Sequence, residues 1–166
     1  GRLFPQGLLP IWDMNFLVRE MRRCHEELGL NGFILTDRPD LVDLPSLDDP
    51  YWDPMWQLAS DLEAPLSFHI GSGKKNMKVR LAPEDALWWP GFGPQVGLAI
   101  NATQLYMSNV RVLCNLVMST LFDRFPGLKI ISAESGIGWI PFVLEALEYQ
   151  LDEMVTVELA QKRRPT

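Results

Sequence analysis

Short apolar segments alternate with helical segments along almost the whole chain. The apolar runs cover residues 32–36, 65–70 and 128–133, and residues 5–10 have the character of the end of a further strand. Each run is followed by a stretch of helical periodicity, so the order strand, helix repeats four times. Such alternation requires a parallel sheet whose crossovers run through helices. The sequence therefore predicts an α/β fold of about four βα units with parallel strands.

The first helix has the clearest predicted boundaries. Asp13 is a suitable N-cap, apolar residues recur at three- and four-residue spacing over residues 14–28, and Gly29 supplies the left-handed residue that ends a helix. Further helices are predicted from residue 53 or 54 to Glu63, from Gln95 to Phe125 with a break around Ser108-Asn109, and from near Trp139 until the pattern fades after Val157.

A complete, small, doubly wound domain is an alternative interpretation of the same alternation. Hydrophobic residues make up 47% of the 166 residues, which is ample for the core of one domain. In such a domain, however, residues 3–10 would form a central strand, and the two prolines among them make a poor central strand. The sequence therefore favours one part of a larger parallel sheet.

The charge pattern argues against nucleic acid or a membrane as the principal partner. The formal net charge is −6, and the longest basic block is Lys162-Arg163-Arg164, whereas phosphate binding needs clustered Lys and Arg. Polar side chains interrupt the apolar run over residues 96–122, so no membrane span is expected. Residues 1–5 lack the charged-then-apolar order of a signal peptide. We expect a cytoplasmic protein that acts on a small molecule.

Three reactive side chains are assigned structural roles. Cys24 and Cys114 form no CxxC pair and fall in helical apolar stretches, so both are predicted to be buried thiols of a reducing compartment. His25 lies in the middle of the first helix next to its polar face, and it is predicted to be solvated or locally bonded.

Two side chains stand where the chemistry of a parallel sheet takes place, beyond the carboxyl ends of the strands. His69 ends an apolar strand and is followed by Gly71 and Gly73, which would let a ligand approach the backbone. It is predicted to be a metal ligand or a base. Glu134 ends the next strand, where a carboxylate needs a cation or a strong donor. The alternative for Glu134 is that it accepts from amides at the start of the following helix, around Gly136.

Two long connections separate these elements. Residues 37–54 are rich in Asp beside Pro, which is common turn chemistry, and they lack the alternate carboxylates and central Gly of a calcium loop. Residues 74–94 carry Trp88 and Trp89, and a loop of this length is typical of a lid or a substrate wall. Core packing or a subunit interface explains the two Trp residues equally well.

Two sequence blocks resemble the amidohydrolase-related family, the group that contains aminocarboxymuconate-semialdehyde decarboxylase. The first block is Trp52-Asp53-Pro54-Met55-Trp56 followed by Ala64-Pro65-Leu66-Ser67-Phe68-His69-Ile70-Gly71. The second runs from Phe122 to Ile130 and continues into Ala133-Glu134-Ser135-Gly136-Ile137-Gly138-Trp139-Ile140-Pro141. The resemblance covers residues 2–154 or so, and it depends on both blocks occurring in this order.

The resemblance implies the central-to-late part of a (β/α)8 TIM barrel. Residues 1–166 would then be a partial barrel domain whose first and last strands are missing. The family binds a divalent metal, usually zinc, through a His-x-His pair on the first strand, a His on the fifth and an Asp on the eighth. His69 matches the fifth-strand ligand, and the other ligands have no counterpart in this chain.

The resemblance also implies a choice of reaction. Decarboxylases of the family carry a His after the sixth strand, where this chain has Glu134. This departure favours a metal-dependent hydrolase that uses a metal-activated water, with Glu134 as general acid or base and Trp88 and Trp89 as a pocket wall. The expected substrate is a small carboxylated or aromatic compound.

Two alternatives remain beside the hydrolase. One is a non-oxidative decarboxylase of the same family, and the other is a truncated or degenerate barrel that binds no metal. Because a partial barrel has two unpaired sheet edges, copies of it would tend to associate, and a homo-oligomer is compatible with the sequence. With one predicted metal ligand, this chain alone is expected to be inactive.

Overall fold

The computed structural model of the chain describes residues 2–72 and 88–154. The strands are β1 (Gly7–Leu8), β2 (Phe33–Leu35), β3 (Leu66–His69) and β4 (Ile130–Ala133). The helices are α1 (Met14–Leu28), α2 (Asp53–Asp61), α3 (Pro94–Tyr106), α4 (Val110–Met118), α5 (Leu121–Arg124) and α6 (Ile140–Met154). Within these ranges, the predicted alternation of parallel strands and helices is confirmed.

The four strands form one parallel sheet in the order β1-β2-β3-β4. Each strand therefore lies beside the one that precedes it in the chain, and β1 and β4 form the two edges. A doubly wound sheet reverses its direction of winding at a switch point, and its strand order is not sequential. The observed order is that of a barrel segment, which agrees with the predicted part of a (β/α)8 barrel.

Helix α1 has the predicted bounds because both of its ends are capped. The Asp13 carboxylate accepts a hydrogen bond from the Phe16 amide at 2.8 Å, and Gly29 adopts the left-handed conformation with φ 67°. Leu17, Met21 and Cys24 are buried on one face of the helix, as its apolar spacing predicts. The caps satisfy amide and carbonyl groups that the helix itself leaves unpaired.

The Asp- and Pro-rich connection between β2 and α2 contains two short 3-10 helices, Pro39–Val42 and Pro50–Trp52. Trp52 and Trp56 are fully buried in the core, and their indole N–H groups donate to carbonyl oxygens of the connection, those of Pro45 and Leu47. The two tryptophans therefore hold this long connection against the core.

The two sequence blocks that carry the family resemblance pack against each other. The Arg124 guanidinium donates to the Asp53 carboxylate at 2.6 Å. The Cβ of any residue at Gly127 would lie 2.6 Å from the Ser60 hydroxyl, so the turn after α5 approaches α2 as closely as only glycine permits. Both blocks therefore serve the packing of α2 on α5.

The predicted break in the long helical region is confirmed. A 3-10 turn, Met107–Asn109, separates α3 from α4, and a short non-helical step separates α4 from α5. The break lets the chain bring Asn109 to the sheet, where it is almost completely buried.

The prediction of two buried thiols is right for Cys24 and wrong for Cys114, which is only partly buried; both cysteines are free. Helix α4 buries Val112 and Leu116, which lie one turn apart, and Cys114 lies between them on the opposite side of the helix. Burial raises the pKa of both thiols. His25 is locally bonded as predicted, with Nδ1 3.2 Å from the Leu30 carbonyl oxygen.

Within the described ranges, no helix combines the length and apolar character needed to cross a membrane. Most of the predicted irregular segment 74–94, and the tail in which the last helix was predicted to fade, lie outside the described residues.

The N-cap of α1 gives a direct test of how the first helix is stabilised. Asp13→Ala removes the acceptor for the Phe16 amide, and we expect the free energy of unfolding to fall by about 1 kcal/mol. Asp13→Asn keeps a side-chain oxygen at the cap, so its free energy of unfolding should fall much less. Urea denaturation of the three proteins measures the difference, and equal losses in both variants would contradict the assignment of the cap.

Candidate functional site

The structure brings together the two side chains predicted at the carboxyl ends of neighbouring strands. In the parallel pairing of β3 with β4, His69 lies opposite Ala133, so Glu134 follows directly after the residue that faces His69. His69 Nε2 lies 3.0 Å from Glu134 Oε2. Within the described residues the Glu134 carboxylate meets an imidazole, not the amides near Gly136, which was the alternative. We call these two residues the His–Glu pair.

The backbone of Glu134 explains how its side chain reaches His69. Successive side chains of a strand point to opposite faces of the sheet, so a regular extension of β4 would place residue 134 on the face opposite to Ala133 and His69. Glu134 instead has φ 58°, in the left-handed region that non-glycine residues rarely adopt. Such a conformation costs of order 1–3 kcal/mol and is frequent at functional sites.

The hydrogen bond of the other ring nitrogen orients the imidazole of His69. Nδ1 lies 3.0 Å from the carbonyl oxygen of Ile70, which can only accept, so Nδ1 carries a hydrogen and donates it. Nε2 then either carries a second hydrogen toward Glu134 or presents its lone pair to a metal ion. Metal-binding histidines are commonly held in this way, with the other ring N–H donated to a carbonyl or carboxylate.

The residues around the pair fit part of a metal site. In residues 2–72 and 88–154, no group of three His, Cys, Asp or Glu side chains could hold a metal ion together. The His–Glu pair supplies one nitrogen and one oxygen donor, whereas catalytic zinc sites use about three protein ligands. The donors match a divalent cation in chemical type, and the described residues provide fewer of them than a complete site needs.

Both side chains of the pair are largely accessible to solvent. The exposed fraction is 51% for the His69 side chain and 61% for that of Glu134. A substrate could therefore approach either group from the carboxyl end of the sheet. Exposed ion pairs contribute about 0–1 kcal/mol, so the pair does little to stabilise the fold.

The predicted pocket wall is only partly described. The Trp88 ring lies so close to Gly97 on α3 that a Cβ there would stand 2.6 Å from it. Trp89 is 78% exposed and stacks on Phe92, with ring centroids 6.0 Å apart. Trp88 thus packs against a helix and Trp89 faces solvent, and their role as a wall of the substrate pocket stays a prediction.

A separate cavity of about 570 Å³ lies between the connection after β2 and helices α4 and α5. Each of its three arginines is paired with an aspartate: Arg111 with Asp37, Arg38 with Asp40 at 2.6 Å, and Arg124 with Asp53 at 2.6 Å. The Arg38 guanidinium beside Asp40 lowers the pKa of that carboxyl group. The cavity does not include the His–Glu pair, and each of its arginines already has an aspartate partner.

Sequence reasoning missed the polar side chains behind the pair. Ser108 and Asn109, at the break between α3 and α4, hydrogen bond to the chain around His69, and Asn109 also reaches Ser132 on β4. The predicted helix break indicated that the chain changes direction there. It gave no indication that the break faces the two strand ends.

A sequential parallel sheet with its polar side chains at the carboxyl ends of the strands defines the class of (β/α) barrel proteins. Solved structures agree. The chain resembles 5-carboxyvanillate decarboxylase from Sphingomonas paucimobilis, with a TM-score of 0.59 and 24% identity, over 92% of this chain and 41% of that protein. It also resembles 5-carboxyvanillate decarboxylase from Novosphingobium aromaticivorans with bound manganese. The TM-score is 0.63 and the identity 19%, over 97% of this chain and 41% of that protein.

The amidohydrolase sequence profile matches residues 1–164, and the chain belongs to the amidohydrolase family. It is 29% identical to 2-amino-3-carboxymuconate-6-semialdehyde decarboxylase of Dictyostelium discoideum, over 89% of this chain and 36% of that protein. It is 30% identical to gamma-resorcylate decarboxylase of Rhodococcus jostii, over 86% of this chain and 41% of that protein. It is 27% identical to 2-keto-4-carboxy-3-hexenedioate hydratase of a Sphingobium strain, over 84% of this chain and 35% of that protein. The chain thus spans about two fifths of the length of these enzymes.

Proposed function

We propose that the protein is a metal-dependent carboxy-lyase, which removes carbon dioxide from a small unsaturated or aromatic carboxylate. The observation that carries the proposal of a catalytic site is the contact between His69 and Glu134, a candidate metal ligand beside a group that can transfer a proton, at the carboxyl ends of two adjacent strands. Relatives named as decarboxylases support the choice of reaction, because they match along most of this chain.

A decarboxylation needs a proton donor near the substrate. The bond between the substrate carbon and its carboxylate breaks, the electron pair stays on the carbon, and that carbon takes up a proton as carbon dioxide leaves. In its protonated form Glu134 can donate this proton, since its carboxyl group is accessible and held beside His69. The Glu134 carboxylate is reprotonated from solvent before the next turnover.

A divalent metal would be held by Nε2 of His69, with further ligands from outside the described residues. When bound, such an ion stabilises negative charge on the substrate oxygens. The backbone carbonyl of Ile70 keeps the His69 ring in the tautomer that leaves Nε2 for the ion. Zinc is our expectation from the sequence, and manganese is the ion named for one similar barrel.

Hydrolysis or hydration is the second candidate, and the identity of residue 134 favours it. A carboxylate at this position can take a proton from an attacking water. This is the role of general base that the sequence predicts for Glu134. The similarity to a hydratase supports the addition of water to an unsaturated substrate. In this alternative Glu134 acts first as a base, whereas in decarboxylation it acts first as an acid.

Metal binding is tested with the two histidines of the chain. In the complete protein we expect His69→Gln to lower the affinity for zinc or manganese by at least 10-fold, because one ligand is lost. His25→Gln is the matched control, since His25 is locally bonded on α1 and should leave metal affinity unchanged. Mass spectrometry measures the metal content of both variants after dialysis. Equal metal content in His69→Gln and His25→Gln would contradict the assignment of His69 as a ligand. A complete protein without any metal would favour the degenerate barrel.

The role of Glu134 is tested by turnover. With gamma-resorcylate or an aminocarboxymuconate semialdehyde as substrate, we expect Glu134→Gln to reduce release of carbon dioxide by about 10²- to 10⁴-fold while metal stays bound, because the amide cannot exchange the proton. Glu63→Gln is a suitable control, because Glu63 also has a positive φ of 51° and is an exposed partner of Lys129. Undiminished turnover by Glu134→Gln would refute the assignment.

A further inference from the structure

We infer that Asn109 is a positioning residue for the His–Glu pair, because its side-chain amide fastens the carboxyl end of β3 to that of β4. The inference bears on the mechanism only if the proposed function holds. The geometry that it describes can be tested without any assay of activity.

The contacts of Asn109 join the two strands just before the paired residues. Its amide nitrogen donates to the carbonyl oxygen of Phe68 at 2.8 Å and to the hydroxyl oxygen of Ser132 at 2.9 Å. Phe68 immediately precedes His69, and Ser132 lies two residues before Glu134. Asn109 itself is 3% exposed and its bond to Phe68 is buried, which strengthens that bond, whereas the bond to the exposed Ser132 is only partly buried.

Ser132 also contacts the residue that follows Glu134, Ser135. Its hydroxyl lies 2.6 Å from that of Ser135, which is 1% exposed. The carbonyl of Ser135 accepts a hydrogen bond from the Trp139 indole at 2.7 Å, which ties the turn to the start of α6. Glu134 therefore lies between two serines that are both held in place, which is how its left-handed backbone is maintained.

The chain after His69 is held by the same helix break. The amide of Gly71 donates to the hydroxyl of Ser108 at 3.2 Å, and the amide of Ile70 donates to the carbonyl of Ala133 at 3.3 Å. The strand pairing itself ends at His69 and Ala133. Beyond that point the Ile70 amide and the Ser108 hydroxyl hold the chain after His69, while Asn109 braces the last paired residues before the site, Phe68 and Ser132.

The pair needs such a restraint because its own attraction is weak. Both side chains are more than half exposed, and exposed ion pairs contribute about 0–1 kcal/mol. A contact of this strength does not by itself hold Glu134 in a costly backbone conformation. The Nε2–Oε2 distance of 3.0 Å must therefore be set by the backbone, and Asn109 contacts the backbone of one strand and a side chain of the other.

Asparagine is well suited to this position for a chemical reason. Its NH₂ group has two hydrogens, one for each acceptor, and both acceptors lie within 3 Å of the same nitrogen. An aspartate has the same shape but no hydrogen to donate when ionised. Asn109→Asp therefore removes the bond to the Phe68 carbonyl with almost no change in volume, and the Ser132 contact can form only if its hydroxyl donates instead of accepting.

The test records the imidazole rings by long-range proton–nitrogen NMR. In the complete protein, His25→Gln and His69→Gln assign the signals of these two rings. Glu134→Gln provides the ring signals of a His69 that has lost its carboxylate partner. We expect Asn109→Asp to shift the His69 ring signals toward those of Glu134→Gln, while the His25 signals and the circular dichroism stay as in the original protein.

Asn115→Asp is the matched control, because Asn115 lies on α4 on an exposed position and should leave both rings unchanged. Unchanged His69 signals in a folded Asn109→Asp protein would overturn the inference. If Asn109→Asp does not fold, Ser132→Ala decides, since it removes one of the two bonds. A partial shift of the His69 signals then supports the inference, and signals identical to the original protein overturn it.

A second measurement connects the inference to the proposed function. In the complete protein, competition with a chelator should show manganese affinity lowered about 10-fold by Asn109→Asp, as for other groups that orient a metal ligand. If the original protein binds no metal, the proposed function fails. The NMR result still decides whether Asn109 positions the pair.

Discussion

The parallel pairing of β3 with β4 determines which side chains can meet at the site. Carboxyl ends of adjacent parallel strands lie at the same edge of the sheet, and the register sets His69 opposite Ala133. A shift of one residue would exchange the faces on which the side chains of β4 lie. Glu134 would then not reach His69. Leu66, Ser67 and Phe68 are all buried, so β3 is covered on both faces as far as His69, where the chain becomes exposed.

The sheet brings the two strand ends together, but it does not complete the geometry of the pair. Regular strand alternation would direct Glu134 away from His69, and a left-handed backbone at Glu134 corrects this. On our inference, hydrogen bonds of Asn109, Ser132 and Ser135 hold this conformation, and of these three residues Asn109 and Ser135 are buried. The exposed pair would then take its position from neighbouring polar residues.

How much could be predicted from the sequence depended on whether the determining contacts were local. The bounds of α1 follow from Asp13 and Gly29, which act within one helical turn, and they were predicted correctly. The contacts of Asn109 join residues 41 and 23 positions apart, and no local pattern marks them. Cys114 was predicted to be buried from the apolar character of its stretch, but the face of α4 that packs on the core depends on the tertiary fold.

The residues that carry the family resemblance act mainly in the fold. Trp52 and Trp56 hold the connection after β2, and Asp53 binds Arg124 where the two blocks meet. These contacts explain why such blocks identify a barrel: they maintain the packing of helices on the outside of the sheet. The same blocks also contribute His69 and Glu134 at the strand ends, but the contacts of Trp52, Trp56 and Asp53 belong to the fold and are compatible with several reactions. On the proposed function the reaction depends instead on the group placed beside His69, which is Glu134 in this chain.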